Sequence, residues 1–303
     1  MLAAILTTVL FALSGVTGQH VAYRLGGLWG NLVRLVIATA LLGGVVLWLW
    51  PGSLQGHVFA WFFLSGLIGF GVGDVALFLA YERVGSRLAV LLTLCLAPLF
   101  AMVMEWAWLG NAVTFPVVVC ALLIVAGVVL AIRPGPASSP AVRRRGSYVA
   151  GVVASVVAGF GQGAGAVLSR KAEEVALEMD VAVNGISAAF QRVFAGLVFA
   201  VAAVLLVRWL FPRSPLNHQV GRLDRKVAPW MIATVLTGPV VGVACFQWAL
   251  QSLESGIVLA VVATTPIVMM PMAAITEGDR PGPSAIVGAA LGVAGVILLY
   301  LWA

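Results

Sequence analysis

The chain has 303 residues, of which 62% are apolar and 9% charged, and it carries 34 glycines. Soluble domains hold about 25% charged and about 45 to 50% apolar residues, so a soluble globular fold is excluded. The net charge of +6 does not mark a nucleic-acid-binding protein, because the basic residues punctuate long apolar stretches instead of lining one polar face.

A membrane-crossing helix needs about 20 mostly apolar residues. Charges, Gly/Pro clusters and tryptophans divide the chain into ten such segments, near 1–22, 29–50, 57–81, 86–108, 113–132, 147–168, 181–207, 229–250, 255–276 and 284–302. The predicted fold is an all-α integral membrane protein of ten transmembrane helices. Trp29, Trp48, Trp50, Trp61, Trp106, Trp108, Trp209, Trp230 and Trp302 fall at or near segment ends, where an amphipathic ring prefers the headgroup level; Trp248 alone is deep enough to face a cavity. The first segment lacks the basic leader and A-x-A site of a signal peptide. Cys95, Cys120 and Cys245 lie scattered in apolar segments with no paired spacing, which points to small buried hydrophobes and to neither a metal site nor a disulfide framework.

The second half repeats the first. A shift of 147 residues places Thr8, Gly18 and Arg24 on Ser155, Gly165 and Lys171, and a shift of 158 places Arg34 on Arg192. A shift of 169 places Trp61, Gly69, Gly73, Ala80 and Ser86 on Trp230, Gly238, Gly242, Ala249 and Ser255. A shift of 168 places Pro98, Gly110 and Gly127 on Pro266, Gly278 and Gly295. This divides the chain into a repeat at 1–133, a linker at 134–146 and a repeat at 147–303. Five spans per repeat is an odd number, so the halves are expected to sit upside down relative to each other, the plan of secondary carriers that bind substrate near the midplane.

The linker, with its prolines, serines and the run Arg143, Arg144, Arg145, reads as a solvated segment. Loops after the odd-numbered spans hold 13 Lys and Arg, the opposite loops only Arg170 and Lys171. By the positive-inside rule this puts the odd loops in the cytoplasm and both termini outside.

Ionisable side chains within spans are costly, at least about 2.5–3.5 kcal/mol each, and need a partner or a function. Arg34 and Asp74 lie at depths differing by about 3 Å from one face, so they can pair, either as a structural bridge or as a substrate or proton site. Arg192 takes the repeat position of Arg34, but Val243 stands at the position of Asp74. That leaves Arg192 to reach Gln247, a helix-end carbonyl or an anionic substrate. Glu105, near a segment end, is expected at the interface. Pro98 and Pro266 each free a backbone carbonyl at matching positions, as a gate or as a packing kink. The pairs Gly69/Gly73, Gly161/Gly165, Gly238/Gly242 and Gly288/Gly292 have the spacing of close helix packing. No nucleotide-binding, zinc-hydrolase or nucleophile-elbow motif occurs in a supporting context.

The run Gly73, Asp74, then Leu79, Ala80, Tyr81, then Gly85, Ser86, Arg87, then Pro98, then Leu109, Gly110 resembles the EamA-type repeat of the drug/metabolite transporter superfamily. So does the closing stretch from Gly278, Asp279 and Arg280 through Gly288 to Ala294, Gly295, Val296, Ile297 and Leu298. The chain departs from the family's usual Gly-Glu-Arg in having Gly110, Asn111 after span 4 and Gly278, Asp279, Arg280 after span 9. The resemblance implies a plasma (inner) membrane carrier of a small metabolite, such as an amino acid or amphipathic solute. It implies no ATP-binding domain, and ten-span relatives are expected with cytoplasmic termini, opposite to the charge count. Spans 1, 3, 4, 6, 8 and 9 line the cavity in that family. This makes Ser14, Gln19, Gln162, Gln247 and Trp248 expected substrate-binding residues, alongside Asp74. The expectation is a secondary transporter, a probable exporter, acting by alternating access without cofactor or metal. It is a monomer or homodimer, driven by the solute gradient or by proton exchange. A membrane-embedded lipid-modifying enzyme is the alternative, although the loops offer few clustered acids or histidines.

Overall fold

The computed structural model describes residues 1–54, 56–109, 114–132, 146–212, 223–252, 255–278 and 281–302. Among these residues every regular element is helical. In chain order the long helices are α1 (Leu2–Leu25), α2 (Gly27–Leu49), α3 (Gly56–Val84), α4 (Ser86–Leu109), α5 (Phe115–Ile132), α6 (Tyr148–Glu178) and α7 (Gly185–Leu210). They continue with α8 (Ala228–Gln251), α9, which runs as Ser255–Val262 and Thr265–Thr276, and α10 (Pro283–Trp302). Nine helices among the described residues are long and apolar enough to cross a membrane, and α5 is a shorter apolar helix. The linker expected at 134–146 lies, apart from Gly146, outside the described residues, as do Gly110, Asn111, Asp279 and Arg280.

The two halves are interleaved. Helix α1 packs on α8 and α9, α6 packs on α3 and α4, α2 meets α7, and α5 meets α10. Exchanging the halves maps this set of contacts onto itself. Close approach needs small residues: a Cβ added to Gly161 on α6 would stand 2.6 Å from the Cα of Gly73 on α3, so only glycine lets these backbones touch. The chain reverses between α1 and α2 on one residue, Gly26, whose φ of 89° is open to glycine and strained for other residues.

The outer faces carry exposed apolar side chains such as Leu47, Leu122, Leu205 and Ile275, which suit lipid tails. Among the tryptophans expected at segment ends, Trp48 and Trp209 stand exposed, while Trp230 stacks on His20 with ring centroids 4.1 Å apart. The three cysteines are buried and free.

Two irregularities position the site. Helix α3 winds as a π-helix over Leu67–Asp74, and α8 does so over Leu236–Val240. The same shift of 169 that aligns the repeats superposes their first residues, Leu67 and Leu236. A π-turn inserts a residue, bulges the helix and turns side chains out of phase, a feature concentrated at functional sites. The prolines behave otherwise. Helix α4 runs unbroken through Pro98. Helix α9 is interrupted just before Pro266, where Thr264 and Thr265 donate hydroxyl hydrogen bonds to the carbonyls of Val261 and Val262 at 2.6 and 2.5 Å. Pro266 then sits in the first turn of the following piece, where its missing N–H costs nothing.

Candidate functional site

A cavity opens where α1, α2, α3, α4, α6, α7 and α8 converge. Ser14, Arg34, Asp74, Gln162 and Arg192 from the sequence expectations line it together. Its apolar wall comes chiefly from Phe11, Phe70, Leu77, Leu94, Val243 and Phe246, and Tyr81 also lines it.

The Arg34–Asp74 pair expected from equal depth forms. Arg34 Nη2 donates to Asp74 Oδ2, and the guanidinium carbon lies 4.7 Å from the ring centroid of Phe78. The π-turn ends at Asp74, which turns the carboxylate toward α2. Arg34 is 5% exposed and among the described residues its Nε has no hydrogen-bond partner, so the carboxylate is its principal compensation in a site where an unpaired charge would be costly.

Arg192 is 2% exposed, and among the described residues its guanidinium makes neither ion pair nor hydrogen bond; its Nε is buried without a partner. Its carbon lies 5.5 Å from the ring centroid of Phe70, a cation–π contact. Its Nη2 is held against the small faces of Gly69 and Gly165. Arg34 is held the same way, with Nη1 against Gly238, the repeat counterpart of Gly69. Gln162 also makes no hydrogen bond among the described residues, so its amide is available within the cavity. Ser14 Oγ lies 3.4 Å from Thr234 Oγ1 on α8, and Thr234 donates to the Ser14 carbonyl at 3.3 Å.

Other sequence expectations fall elsewhere. Gln247 is fully buried but turns away from the cavity, with its amide nitrogen donating to Ser169 Oγ on α6 at 2.9 Å; it therefore does not partner Arg192. Trp248 is 43% exposed and packs on Gly185 at the start of α7. The reason is helical phase: Val243 and Phe246 face the cavity, and at about 100° per residue the next two side chains rotate off that face. Gln19 sits nearer the end of α1 with its side-chain amide against the carboxylate of Glu277, and turning the amide nitrogen toward that carboxylate satisfies both groups. Pro98 and Pro266 do not line the cavity. Glu105 is half-buried in the last turns of α4, near the end expected of it.

Several polar groups escaped the sequence reading. Glu277, the residue that follows α9, also accepts from Ser86 Oγ at the start of α4, so it joins the two repeats at one end of the bundle. At the other end Ser53 donates to Ser187 Oγ at 2.9 Å, and Gln191 Nε2 donates to the Ser53 carbonyl at 3.1 Å, again across the repeats. Glu82, 3% exposed, accepts from the backbone N–H of Gly27 and caps α2. Only the placement of Glu82 and Glu277 near apolar segment ends could have signalled them.

The model of the EamA-like transporter family matches residues 1–133 and again 149–301. Among curated proteins none matches the chain. A solved crystal structure of another protein resembles it with a TM-score of 0.57 at 20% identity, covering 98% of this chain and 93% of that one, a likeness of fold.

Proposed function

The chain belongs to the EamA-like transporter family, and from that premise we propose that it exports a small organic solute across the plasma (inner) membrane by alternating access. In this reading the chain crosses the bilayer ten times as two inverted five-helix repeats, and the shared cavity is the substrate site. The observation that carries it is the composition of that cavity. Repeat-equivalent helices α1 and α6, α2 and α7, and α3 and α8 each contribute to it, as expected when binding occurs where inverted repeats meet. The matched π-turns in α3 and α8 supply bulges about which each helix can bend.

Cross-repeat contacts at both ends of the bundle support alternate opening. The Gln19–Glu277–Ser86 cluster closes one end and the Ser53–Ser187–Gln191 cluster the other. Breaking one while keeping the other exposes the cavity to a single side. Transport by this route needs no cofactor and no reacting residue, in contrast to the lipid-modifying enzyme reading. The driving force is the solute gradient or exchange for a proton carried at Asp74.

The test is counterflow. A thermal-shift screen of the purified protein against a metabolite library identifies a ligand, since binding to the folded state raises stability by mass action. Vesicles reconstituted with the protein and loaded with that ligand should then accumulate its radiolabelled form, with and without a pH gradient. Accumulation no greater than in protein-free vesicles overturns transport, and dependence on the pH gradient decides for proton exchange.

A further inference from the structure

We propose that the cavity selects an organic monoanion, a carboxylate on an apolar body, with the carboxylate docked on Arg192. This rests on reading the cavity as the substrate site, and it specifies the class of solute.

Two arginines and one carboxylic acid line the cavity, Arg34, Arg192 and Asp74. Asp74 attracts both arginines but bonds Arg34, so one positive charge is left over, and it belongs to the nearly inaccessible guanidinium with no acceptor among the described residues. A buried guanidinium is retained where something supplies its acceptor.

The repeat shows what is missing. Arg34 and Arg192 are counterparts, each set against the glycine of the opposite repeat, Gly238 and Gly69. Asp74 and Val243 are counterparts too, and both line the cavity. The first repeat therefore supplies an arginine with its carboxylate, and the second supplies the arginine alone, with a valine methyl surface where the acid would stand. A carboxylate arriving with the substrate completes the second pair. The planar guanidinium suits a carboxylate because its parallel N–H groups match two oxygens. It is already oriented by Phe70 and by the backbones at Gly69 and Gly165, so little freedom is lost on binding.

The remaining surface describes the rest of the ligand. Phe11, Phe246 and Val243 offer an apolar wall, and the unbonded amide of Gln162 offers one further polar contact. A dianion would leave its second charge without a cation, since Arg34 is engaged. An ammonium group would have to displace Arg34 from Asp74 while facing a net positive cavity.

The test uses the full chain in detergent and four probes of nearly equal shape: 3-phenylpropanoate, 3-phenylpropanamide, 3-phenylpropylammonium and phenylalanine. Calorimetry should find the carboxylate bound about tenfold or more tighter than each of the other three. Arg192→Gln should remove that preference, and Arg192→Lys should restore part of it. Should Arg192→Gln fail to fold, Val243→Asp decides: it gives Arg192 an internal carboxylate, and should weaken 3-phenylpropanoate by about tenfold or more beyond whatever the loss of the valine wall costs the amide. No carboxylate binding, equal or tighter binding of another probe, or an unchanged carboxylate affinity in Val243→Asp overturns the proposal. Arg192-dependent binding with no counterflow in vesicles would instead overturn transport and leave the anion site standing.

Discussion

Replacing Asp74 by Asn removes the single negative charge from a cavity that also holds Arg34 and Arg192, leaving two buried arginines uncompensated. Replacing Arg34 by Gln has a different consequence, because the freed carboxylate is still attracted by Arg192 and the cavity becomes neutral. The two single changes should therefore be unequal, although they break the same bond. The side chains of Arg34 and Asp74 are 6% and 16% exposed, so solvent screening is modest and the pair behaves as buried. Asp74→Asn is expected to lower the unfolding free energy by about 3–5 kcal/mol, the range for stripping one partner from a buried pair. Arg34→Gln should cost about 1–3 kcal/mol, as for a buried polar group that loses its first partner. In the double variant the cavity again carries only the charge of Arg192, and its loss should fall about 2 kcal/mol or more short of the sum of the singles. Reversible unfolding in mixed micelles, followed by tryptophan fluorescence, measures all three. Equal single effects that add to within about 0.5 kcal/mol would refute both the pairing and the role given to Arg192.

Gly161→Ala should destabilise by about 1–3 kcal/mol through overpacking, because the new methyl meets the backbone of Gly73; Gly44→Ala, with nothing within 4 Å of the added carbon, should be neutral or slightly stabilising, and thermal midpoints compare them. Gln162→Ala should weaken ligand binding measured by calorimetry while shifting stability by less than about 1 kcal/mol. Gln247→Ala should do the reverse, costing about 1–3 kcal/mol by leaving Ser169 unpartnered with affinity unchanged, and Trp248→Ala should leave affinity unchanged as well; weakened binding in either would move the site toward that face of α8. A cysteine introduced beside Arg143–Arg145 should react with an impermeant maleimide only from the cytoplasm, against a low background because Cys95, Cys120 and Cys245 are buried; labelling from outside would reverse the orientation read from the loop charges and leave transport untouched.

The length and spacing of apolar segments, the internal repeat and the family were all legible in the residues, because spanning a bilayer demands long uncharged stretches and a repeated fold leaves aligned glycines, tryptophans and prolines. The pairing of Arg34 with Asp74 was legible too, since depth along a helix follows from residue count alone. Rotation about the helix axis was not. A helix in lipid is apolar on every side, so the outward face carries no polar stripe to reveal its phase, and Gln247 and Trp248 could not be told from Phe246 and Val243 as cavity residues. The π-turns in α3 and α8 depend on which carbonyl each N–H selects, a choice made by neighbouring helices. Pro98 and Pro266 align in the repeat, yet only the second follows a break, because packing around each decides whether a lost hydrogen bond bends the helix. The isolation of Arg192 lay half in each domain of knowledge: the missing acid at Val243 is a fact of sequence, while the placing of both repeats' charges around one cavity is a fact of how α2, α3, α7 and α8 pack together.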